Sequence, residues 1–587
     1  MQNFTAFDLI VVIVYLLVMA GLGIAQTAKV KTSGDYFAGG RKFSKFLMVM
    51  HALGTGTHAD DPVGVAGAAY QQGISGIWYT YIYLFLTPVY WIIAPLYRRS
   101  RYITTADFFE KRYSSSMALL YTIVGILTFS VNTGIMLKAT GTIATTVTGG
   151  ALSPWVAVLG MTAVFMIYGF AGGLIATVVT ESVQGVLIVV MSLLIVPYGL
   201  WQLGGVGQLH ALLGPAKFSL AAPGDIQELG IPWIIAGVIM AMLSIVAQPH
   251  VMEVCSTGKT EFEGRVGFTY GNFVKRFCAM GWVFTGLIVA AMVAQGTIGV
   301  GDMARAVSGA PAAPDAAWIA KHAREGAFGV AIRQLLPPGA TGLMFAAILA
   351  AQMSTLSAFM VAGSALITRN VIARYWAKEA DDKQLLRYGR FTGFIVVVLG
   401  LCFSSLFKSV AEGLTVFLGI AALMGVFCWA GLIWKRTNAA GAWLSFIVMA
   451  VIWTTMGPFG KYAADALDKA GYAVPYFLGM YGDKAQIANL LVAWLPAGLV
   501  VLVLGSLLTK QRNREEVERF FKLIKVPVGR EEELDAQGIE VVYKGETKGH
   551  PWELNHPKAT HWGGFAIALV FSFVILGLLW LLARWGA

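Results

Sequence analysis

Three ionisable residues stand close together in an apolar stretch near the start of the chain. The stretch reads ALGTGTHADDPVGVAGAAYQQG over residues 52–73, and it places His58, Asp60 and Asp61 where a membrane helix would carry apolar side chains. Its glycines and Pro62 favour a break in that helix. Inside a membrane, freed backbone groups are tolerated where they face protein or water, and there they bind ions and polar solutes. The alternative is a frayed helix end whose polar groups bond to neighbouring helices.

A second break is predicted at the end of a later apolar segment. The sequence SIVAQPHVMEV, residues 244–254, has Gln248 and His250 on either side of Pro249. Interrupted helices at corresponding positions of two halves indicate a binding site near the middle of the membrane. We therefore interpret Gln248 and His250 as solute-binding candidates, together with the histidine and the two aspartates of the first break.

Two further candidates for the solute site lie in the segment 116–146. Asn132 could face the same site, and Lys138 could pair with a carboxylate of the solute. Each residue also has a simpler interpretation. Asn132 could form a hydrogen bond between helices, and the long side chain of Lys138 could extend to the outer membrane interface.

Hydroxyl groups are concentrated in the stretch AAILAAQMSTLSAFMVAGSALITRN, residues 346–370. Ser354, Thr355 and Ser357 could donate to carbonyls one turn earlier in their own helix. A hard cation such as sodium, however, prefers several oxygen ligands, and hydroxyls beside the freed carbonyls of a broken helix supply them without excess buried charge. Both interpretations remain open from the residues alone.

The composition shows which fold must position these residues. Hydrophobic residues make up 57% of the chain, charged residues 13%, and the mean hydropathy is +0.68. Soluble domains carry about 25% charged residues, and apolar segments of about 20 residues have the length of membrane helices. The chain is therefore predicted to be an all-α integral membrane protein. About fourteen transmembrane helices are expected, at residues 7–27, 46–70, 77–97, 116–146, 153–171, 174–203, 231–250, 273–298, 338–368, 387–407, 411–434, 440–457, 485–508 and 562–583.

The basic residues predict the orientation in the membrane. The net charge is +11, but Lys and Arg concentrate in alternate loops, which membrane topology explains without a nucleic-acid partner. We expect those loops to be cytoplasmic and both termini to be extracytoplasmic, in the inner (plasma) membrane of the cell. The loops carry Lys29, Lys31, Arg41, Lys42, Lys45, Arg98, Arg99, Arg101, Lys111, Arg112, Lys259, Arg265, Lys275, Arg276, Arg369 to Arg390, Lys435 and Arg436.

The spans divide the chain into six regions. Two groups of five spans run in opposite directions, because five is odd, and this is what an inverted repeat requires. The predicted regions are an extra N-terminal helix with a cytoplasmic loop (1–45), a first inverted repeat (46–203), a second inverted repeat (204–434), two additional helices (435–509), a cytoplasmic polar insert (510–561) and a last helix (562–587).

The remaining motifs argue against an enzyme. The sequence contains no Walker loop, zinc motif or nucleophile elbow, so an ion gradient is the expected energy source. Cys255, Cys278, Cys402 and Cys428 occur singly and are interpreted as packing residues.

Four motifs, in the order in which the family has them, resemble the sodium:solute symporter family. They are YGFAGGLIATVVTESVQG (168–185), AQPHVMEV (247–254), the hydroxyl-rich stretch at 346–370 and LIWKRTNAAGAW (432–443). The second and third are most similar to the sodium/proline branch, whereas fourteen spans with both ends outside resemble the sodium/sugar members. The resemblance implies a LeuT-like fold of two inverted five-helix repeats.

The resemblance also implies a sodium site and a function. By position, sodium would be bound by backbone oxygens of Gly54, Thr57 and Ala351 and by the hydroxyls of Ser354 and Thr355, and Glu181 would be an accessory group on the cation path. We expect sodium-coupled uptake of a small polar organic solute, such as an amino acid, a sugar or a carboxylate, by alternating access. The alternatives are a membrane solute sensor and a proton-coupled carrier that titrates His58, Asp60 or Glu181.

Overall fold

The structure is a computed structural model that describes residues 4–222, 228–305, 307, 315–406, 410–456, 458–474, 486–539, 541 and 549–586. These residues form helices and connecting segments, with no β-strand among them. The helices are α1 (Ala6–Ala25), α2 (Ser33–Ala38), α3 (Lys45–Thr55), α4 (Asp60–Gln72), α5 (Trp78–Tyr81), α6 (Thr87–Ser100), α7 (Thr105–Arg112), α8 (Ser115–Thr148), α9 (Pro154–Leu203), α10 (Val206–Leu213), α11 (Ile231–Ile245), α12 (Pro249–Ser256), α13 (Glu261–Ala294), α14 (Val300–Arg305), α15 (Ala316–Leu335), α16 (Ala340–Ile367), α17 (Asp382–Ser404), α18 (Val410–Ile433), α19 (Ala439–Met456), α20 (Pro458–Lys469), α21 (Gln486–Leu508), α22 (Arg514–Leu523), α23 (Glu532–Asp535), α24 (Pro551–Asn555) and α25 (Pro557–Arg584).

The all-α membrane architecture is confirmed. Among the described residues, nine helices are long and apolar enough to cross a membrane, and the bent pair α11–α12 is a tenth candidate. The most apolar part of α16 is entirely buried and that of α13 is 83% buried, so these two helices lie at the centre of the bundle. The total of about fourteen transmembrane helices remains a prediction.

The predicted spans 153–171 and 174–203 form a single hydrogen-bonded helix, α9, which is kinked at Gly173. Helix α9 has 50 residues, which is about 75 Å of helix and far more than the ~30 Å hydrocarbon core requires. Gly173 has φ 51° and ψ −143°, a conformation that only glycine adopts without strain. Gln184, beyond the kink, donates to the Tyr15 hydroxyl in the middle of α1 at 3.3 Å. Gly172, at the kink, lies against Gly23 near the end of α1, so the part of α9 beyond the kink packs along α1.

Both predicted helix breaks are present. Helix α3 ends at Thr55 and α4 begins at Asp60, within the interval 54–62 in which the break was expected. Pro62 lies in the first turn of α4, where a missing backbone N–H costs nothing. In the second pair, Pro249 is the first residue of α12, and the axes of α11 and α12 differ by 65°.

The assignment of one basic loop is wrong. Helix α13 begins at Glu261, twelve residues before the predicted start of its span, so Arg265, Lys275 and Arg276 belong to the helix and are buried. A capping box at Thr260 and Glu263 explains this start, because the two side chains satisfy backbone N–H groups of the first turn. These three basic residues therefore have protein partners rather than a role in a loop.

The predicted polar insert contains short helices that pack on the bundle. Helix α22 buries Val517, Phe520, Phe521 and Leu523 and exposes its charged residues. Three of the four cysteines are buried, as expected, whereas Cys402 is exposed, and all four are free thiols.

Candidate functional site

The hydroxyls of α16 face the broken end of α3. Ser354 Oγ lies 2.9 Å from the carbonyl oxygen of Gly54 and 2.8 Å from that of Ala351. Thr355 Oγ1 lies 2.9 Å from the oxygen of Gly54, 3.2 Å from that of Thr57 and 3.2 Å from that of Ala351. The five residues named for sodium therefore lie in one cluster, and both hydroxyl side chains are fully buried.

Side chains from three other positions bond to further backbone groups of this break. The carbonyl of Gly56 accepts a hydrogen bond from Lys275 on α13, and the N–H of His58 donates to Asp61 Oδ2 at 3.1 Å. The N–H of Ala59 donates to Gln352 Oε1 at 3.2 Å. Helix α16 thus fastens both sides of the break, with hydroxyls on the α3 side and an amide on the α4 side.

The histidine and the two aspartates form one charge network with Lys275. His58 Nδ1 lies 2.5 Å from Asp60 Oδ1 and 3.6 Å from Asp61 Oδ2, and Lys275 Nζ lies 2.8 Å from Asp61 Oδ2. Among the described residues, the cation beside these carboxylates is therefore Lys275 rather than Lys138 or a histidine of the second break. Asp60 is 1% exposed, and its Oδ2 has no hydrogen-bond partner among the described residues.

Glu181 lies directly behind the proposed sodium-binding carbonyl. Its Oε2 is 2.5 Å from His51 Nδ1, and its Oε1 accepts from the Thr55 hydroxyl at 3.0 Å. A Cβ atom added at Gly54 would lie 2.9 Å from Cγ of Glu181, so the carboxylate and the backbone of α3 are in close contact. Only a glycine leaves room for this approach.

The second break contributes an aromatic and amide wall. The ring of His250 lies 5.3 Å from that of Phe359 on α16, which in turn lies 4.8 Å from Phe129 on α8. Asn132 is one turn beyond Phe129, is buried, and has an unpartnered Oδ1 among the described residues. Gln352 is seven residues before Phe359, hence on the same face of α16. This face joins the first break to α8 and α12.

The other two solute candidates are placed less centrally. Gln248 donates to Ser244 Oγ at 3.5 Å, within its own bent pair of helices. Lys138 is half-buried on α8 and forms no salt bridge with any residue that the structure describes.

A small cavity adjoins the proposed sodium ligands. It has a volume of about 30 Å³, room for about two water molecules. Its polar wall consists of Thr57, His58 and Ser192, and its apolar wall includes Trp282. Ala351 also lines it, so the cavity borders two of the five residues predicted to bind sodium.

Sequence reasoning missed three residues of this site. His51 precedes Thr55 by four residues, and this spacing, which places both on one helical face, was the available signal. Lys275 was missed because it was assigned to a loop. Gln352 is an amide among small and apolar residues. It was missed because the neighbouring hydroxyls alone were considered as ligands.

A bundle of membrane helices with two broken spans, one of which meets a buried cluster of oxygen atoms, defines a LeuT-like membrane transporter. The model of the sodium:solute symporter family matches residues 36–448, and the chain belongs to that family. It is a sodium-coupled solute symporter, with sodium as the coupling ion.

Known relatives agree with this family. The chain is 22% identical to the sodium/glucose cotransporter of Vibrio parahaemolyticus over 74% of this chain and 82% of the relative. It is 25% identical to the osmoregulated proline transporter OpuE of Bacillus subtilis, over 76% and 88% of the two chains. The fold is similar to that of a Na⁺-coupled sialic acid symporter, with a TM-score of 0.68, 17% identity and coverage of 87% of this chain and 99% of that chain.

Proposed function

We propose that the protein takes up a small polar organic solute together with sodium, by alternating access. The observation that carries this proposal is the contact of two α16 hydroxyls with carbonyl oxygens of the α3–α4 break. The transport domain consists of the two inverted repeats at residues 46–203 and 204–434. Both termini are extracytoplasmic, and the membrane is the inner (plasma) membrane.

Sodium is bound by the backbone oxygens of Gly54, Thr57 and Ala351 and by the hydroxyl oxygens of Ser354 and Thr355. These are neutral oxygen atoms, which suit a hard monovalent cation because they do not overcompensate its charge. The two hydroxyls carry one hydrogen each for their five contacts with three carbonyl oxygens, so lone pairs of these carbonyls remain available to coordinate the ion. Sodium binds to oxygen atoms of both helices and so strengthens the link between α3 and α16.

The solute lies on the other side of the break, against α4, α8, α12 and α16. Four buried groups there lack a complete set of partners among the described residues: Thr57 Oγ1, Asp60 Oδ2, Asn132 Oδ1 and Gln352 Nε2. A buried polar atom without a partner costs about 1–3 kcal/mol, so a solute that pairs with these atoms gains affinity. His250 and Phe359 form the apolar side of this site.

The two aspartates differ in function. Asp61 is held by Lys275 and by the N–H of His58, so it stabilises the break. Asp60 keeps one free oxygen and is the carboxylate that faces the solute, with His58 on its other oxygen. Its free oxygen selects solutes that present an O–H or N–H donor.

Coupling follows from the position of α16 between the two sites. Sodium strengthens the contact of α16 with the end of α3. Gln352 of α16 also accepts a hydrogen bond from the N–H of Ala59, so the start of α4 moves together with α16. Both ligands then favour the same conformation, and each raises the affinity of the other by the same factor. When sodium leaves its site on the cytoplasmic side, the affinity of the protein for the solute therefore falls.

Uptake into proteoliposomes tests the proposal. A panel of radiolabelled amino acids, sugars and carboxylates is offered with an inward sodium gradient, with equal sodium on both sides, and with potassium in place of sodium. We expect accumulation of at least one solute only under the sodium gradient. Solute binding without flux in every condition would favour the sensor instead.

A proton-coupled carrier is the second candidate, and the buried pair of His51 and Glu181 favours it. One measurement distinguishes the proton-coupled carrier from the sodium-coupled one. Accumulation driven by an inward pH gradient in the absence of sodium would assign coupling to a proton.

A further inference from the structure

A segment outside the family match spans one end of the bundle. Residues 510–539 and 549–556, which include α22, α23 and α24, are here called the strap. They follow the region 36–448 that matches the family. The strap covers the basic face, defined as the end of the bundle that carries Arg99, Lys111 and Lys435, which the sequence predicts to be cytoplasmic.

The strap is bonded to the ends of two central helices. Arg99 at the end of α6 donates to both carboxylate oxygens of Glu261 at the start of α13, each at 2.9 Å. Glu261 Oε1 also accepts from the N–H of Val528 in the strap at 2.6 Å, and Arg99 donates to the carbonyl of Ile524 at 3.3 Å. Glu261 is 2% exposed, so this junction excludes water.

Two buried ion pairs reinforce that attachment. Arg101, which follows α6, lies 3.0 Å from Glu531 of the strap. Arg265 on α13 pairs with Glu553 of α24, with both side chains buried. Breaking a buried pair on one side leaves an uncompensated charge, so these pairs hold the strap against α6 and α13.

The opposite end of the strap is bonded to a different set of helices. Asn513 donates to the carbonyls of Lys111 and Arg112 at the end of α7, at 3.2 and 3.0 Å. Gln511 donates to the carbonyl of Lys435 in the turn after α18 at 2.9 Å. The ring of Phe521 lies beneath Lys435, 5.4 Å from its Nζ. The strap therefore links α6 and α13 to α7 and α18.

We propose that the strap is a lock on the basic face and that its release sets the rate at which the transporter opens there. An opening on this face separates helix ends that the strap joins. The bonds at one end of the strap must break before such an opening, and they form again when the face closes. The proposal rests on the alternating-access cycle proposed above.

The labelling rate of a native thiol, that of Cys255, measures the opening of the basic face. Cys255 is on the last turn of α12, is fully buried, and its carbonyl lies against Gly264 near the start of α13. The next residues, Thr257 and Lys259, pair with Phe43 on the basic face. Opening of this face therefore exposes Cys255, and the labelling rate with a water-soluble maleimide reports it without any solute.

The test uses a protein in which Cys278, Cys402 and Cys428 are replaced by serine. The pair E531Q and N513A removes one bond at each end of the strap. E518Q is the matched control, because Glu518 pairs with Arg514 within α22, on the exposed side, and has no salt bridge to a described residue outside the strap. We expect labelling of Cys255 to be at least fivefold faster in E531Q/N513A and unchanged in E518Q.

A charge swap keeps the test valid if the first variant is unstable. In R101E/E531R the ion pair is reversed, and we expect the labelling rate to return to that of the parent, whereas E531R alone is fast. Equal labelling in all variants, at equal thermal midpoints, would overturn the lock. Because labelling requires no solute, a failed uptake assay would count against the proposed function and leave this result standing.

Discussion

The hydroxyl of Ser354 lies 2.9 Å from the carbonyl oxygen of Gly54, although 300 residues separate the two in the chain. This contact joins the centre of α16 to the broken end of α3. It also places a serine hydroxyl at a carbonyl in the last turn of α3, beside the break, where oxygen atoms of two helices can bind a small cation.

Loss of the two hydroxyls should strongly weaken the response of uptake to sodium. In S354A/T355A, two of five oxygen ligands are removed, and we expect the sodium concentration for half-maximal uptake to rise at least tenfold, about 1.4 kcal/mol or more. The control is S364A, on the same helix, whose hydroxyl bonds only within its own turn. Unchanged sodium dependence in the double variant would remove these hydroxyls from the sodium site.

Substitutions of the two aspartates should change different properties: D60N should lower the affinity for the solute, and D61N should lower the thermal stability. D60N is expected to raise the KM for the solute about tenfold, roughly 1.4 kcal/mol, with little change in the sodium requirement. D61N leaves Lys275 buried without its partner and should lower the thermal midpoint. The double variant D61N/K275Q should recover part of that loss. If both single variants shift only the sodium dependence, the aspartates belong to the cation.

Substitutions of Gln352 should affect both the proposed solute site and the proposed sodium site. Q352E keeps the oxygen that accepts from Ala59 and loses the amide donor, whereas Q352M loses both. We expect Q352E to raise only the KM for the solute, and Q352M to raise the sodium requirement as well, because the break is no longer fastened. Identical kinetics in Q352E and the parent would exclude the amide from the solute site.

A methyl group at the α9 kink should destabilise the fold. In G173A the new Cβ would lie 2.5 Å from the ring of Tyr36, and φ is +51°, so both packing and backbone are strained. G160A, on the same helix, is the matched control because nothing lies within 4 Å of its Cβ. We expect a thermal midpoint at least 5 °C lower in G173A only, or about 1–2 kcal/mol of strain. Equal midpoints would show that the kink is not required.

The attachment of the strap should weaken as the pH rises. Burial and the neighbouring Glu261 raise the pKa of Glu553 to about 7, against the opposing effect of Arg265 and Arg99. A raised carboxyl pKa means that the folded state holds the proton more tightly than the unfolded chain, so this stabilisation is complete at low pH and is lost as the pH rises through about 7. Between pH 6 and 8, the thermal midpoint of the parent should fall more than that of E553Q. Parallel curves would contradict this cause.

The sequence determined the class of structure and the positions of the breaks. Apolar segments of membrane length, Pro62 and Pro249 act locally, because length and backbone chemistry are properties of a few neighbouring residues. The family motifs likewise named the five residues that cluster at the α3–α16 contact, although their binding of sodium remains a prediction.

Only the tertiary structure decided which side chains share the site. Lys275 looked like a loop residue because its charge interrupts an apolar segment, and its burial depends on Asp61, which lies more than two hundred residues earlier in the chain. His51 and Glu181, Gln352 and Ala59, and the strap with α6 and α13 are likewise pairs of distant segments. A charge or an amide inside a membrane is stable only beside its partner, and that partner is brought close by helix packing rather than by its position in the sequence.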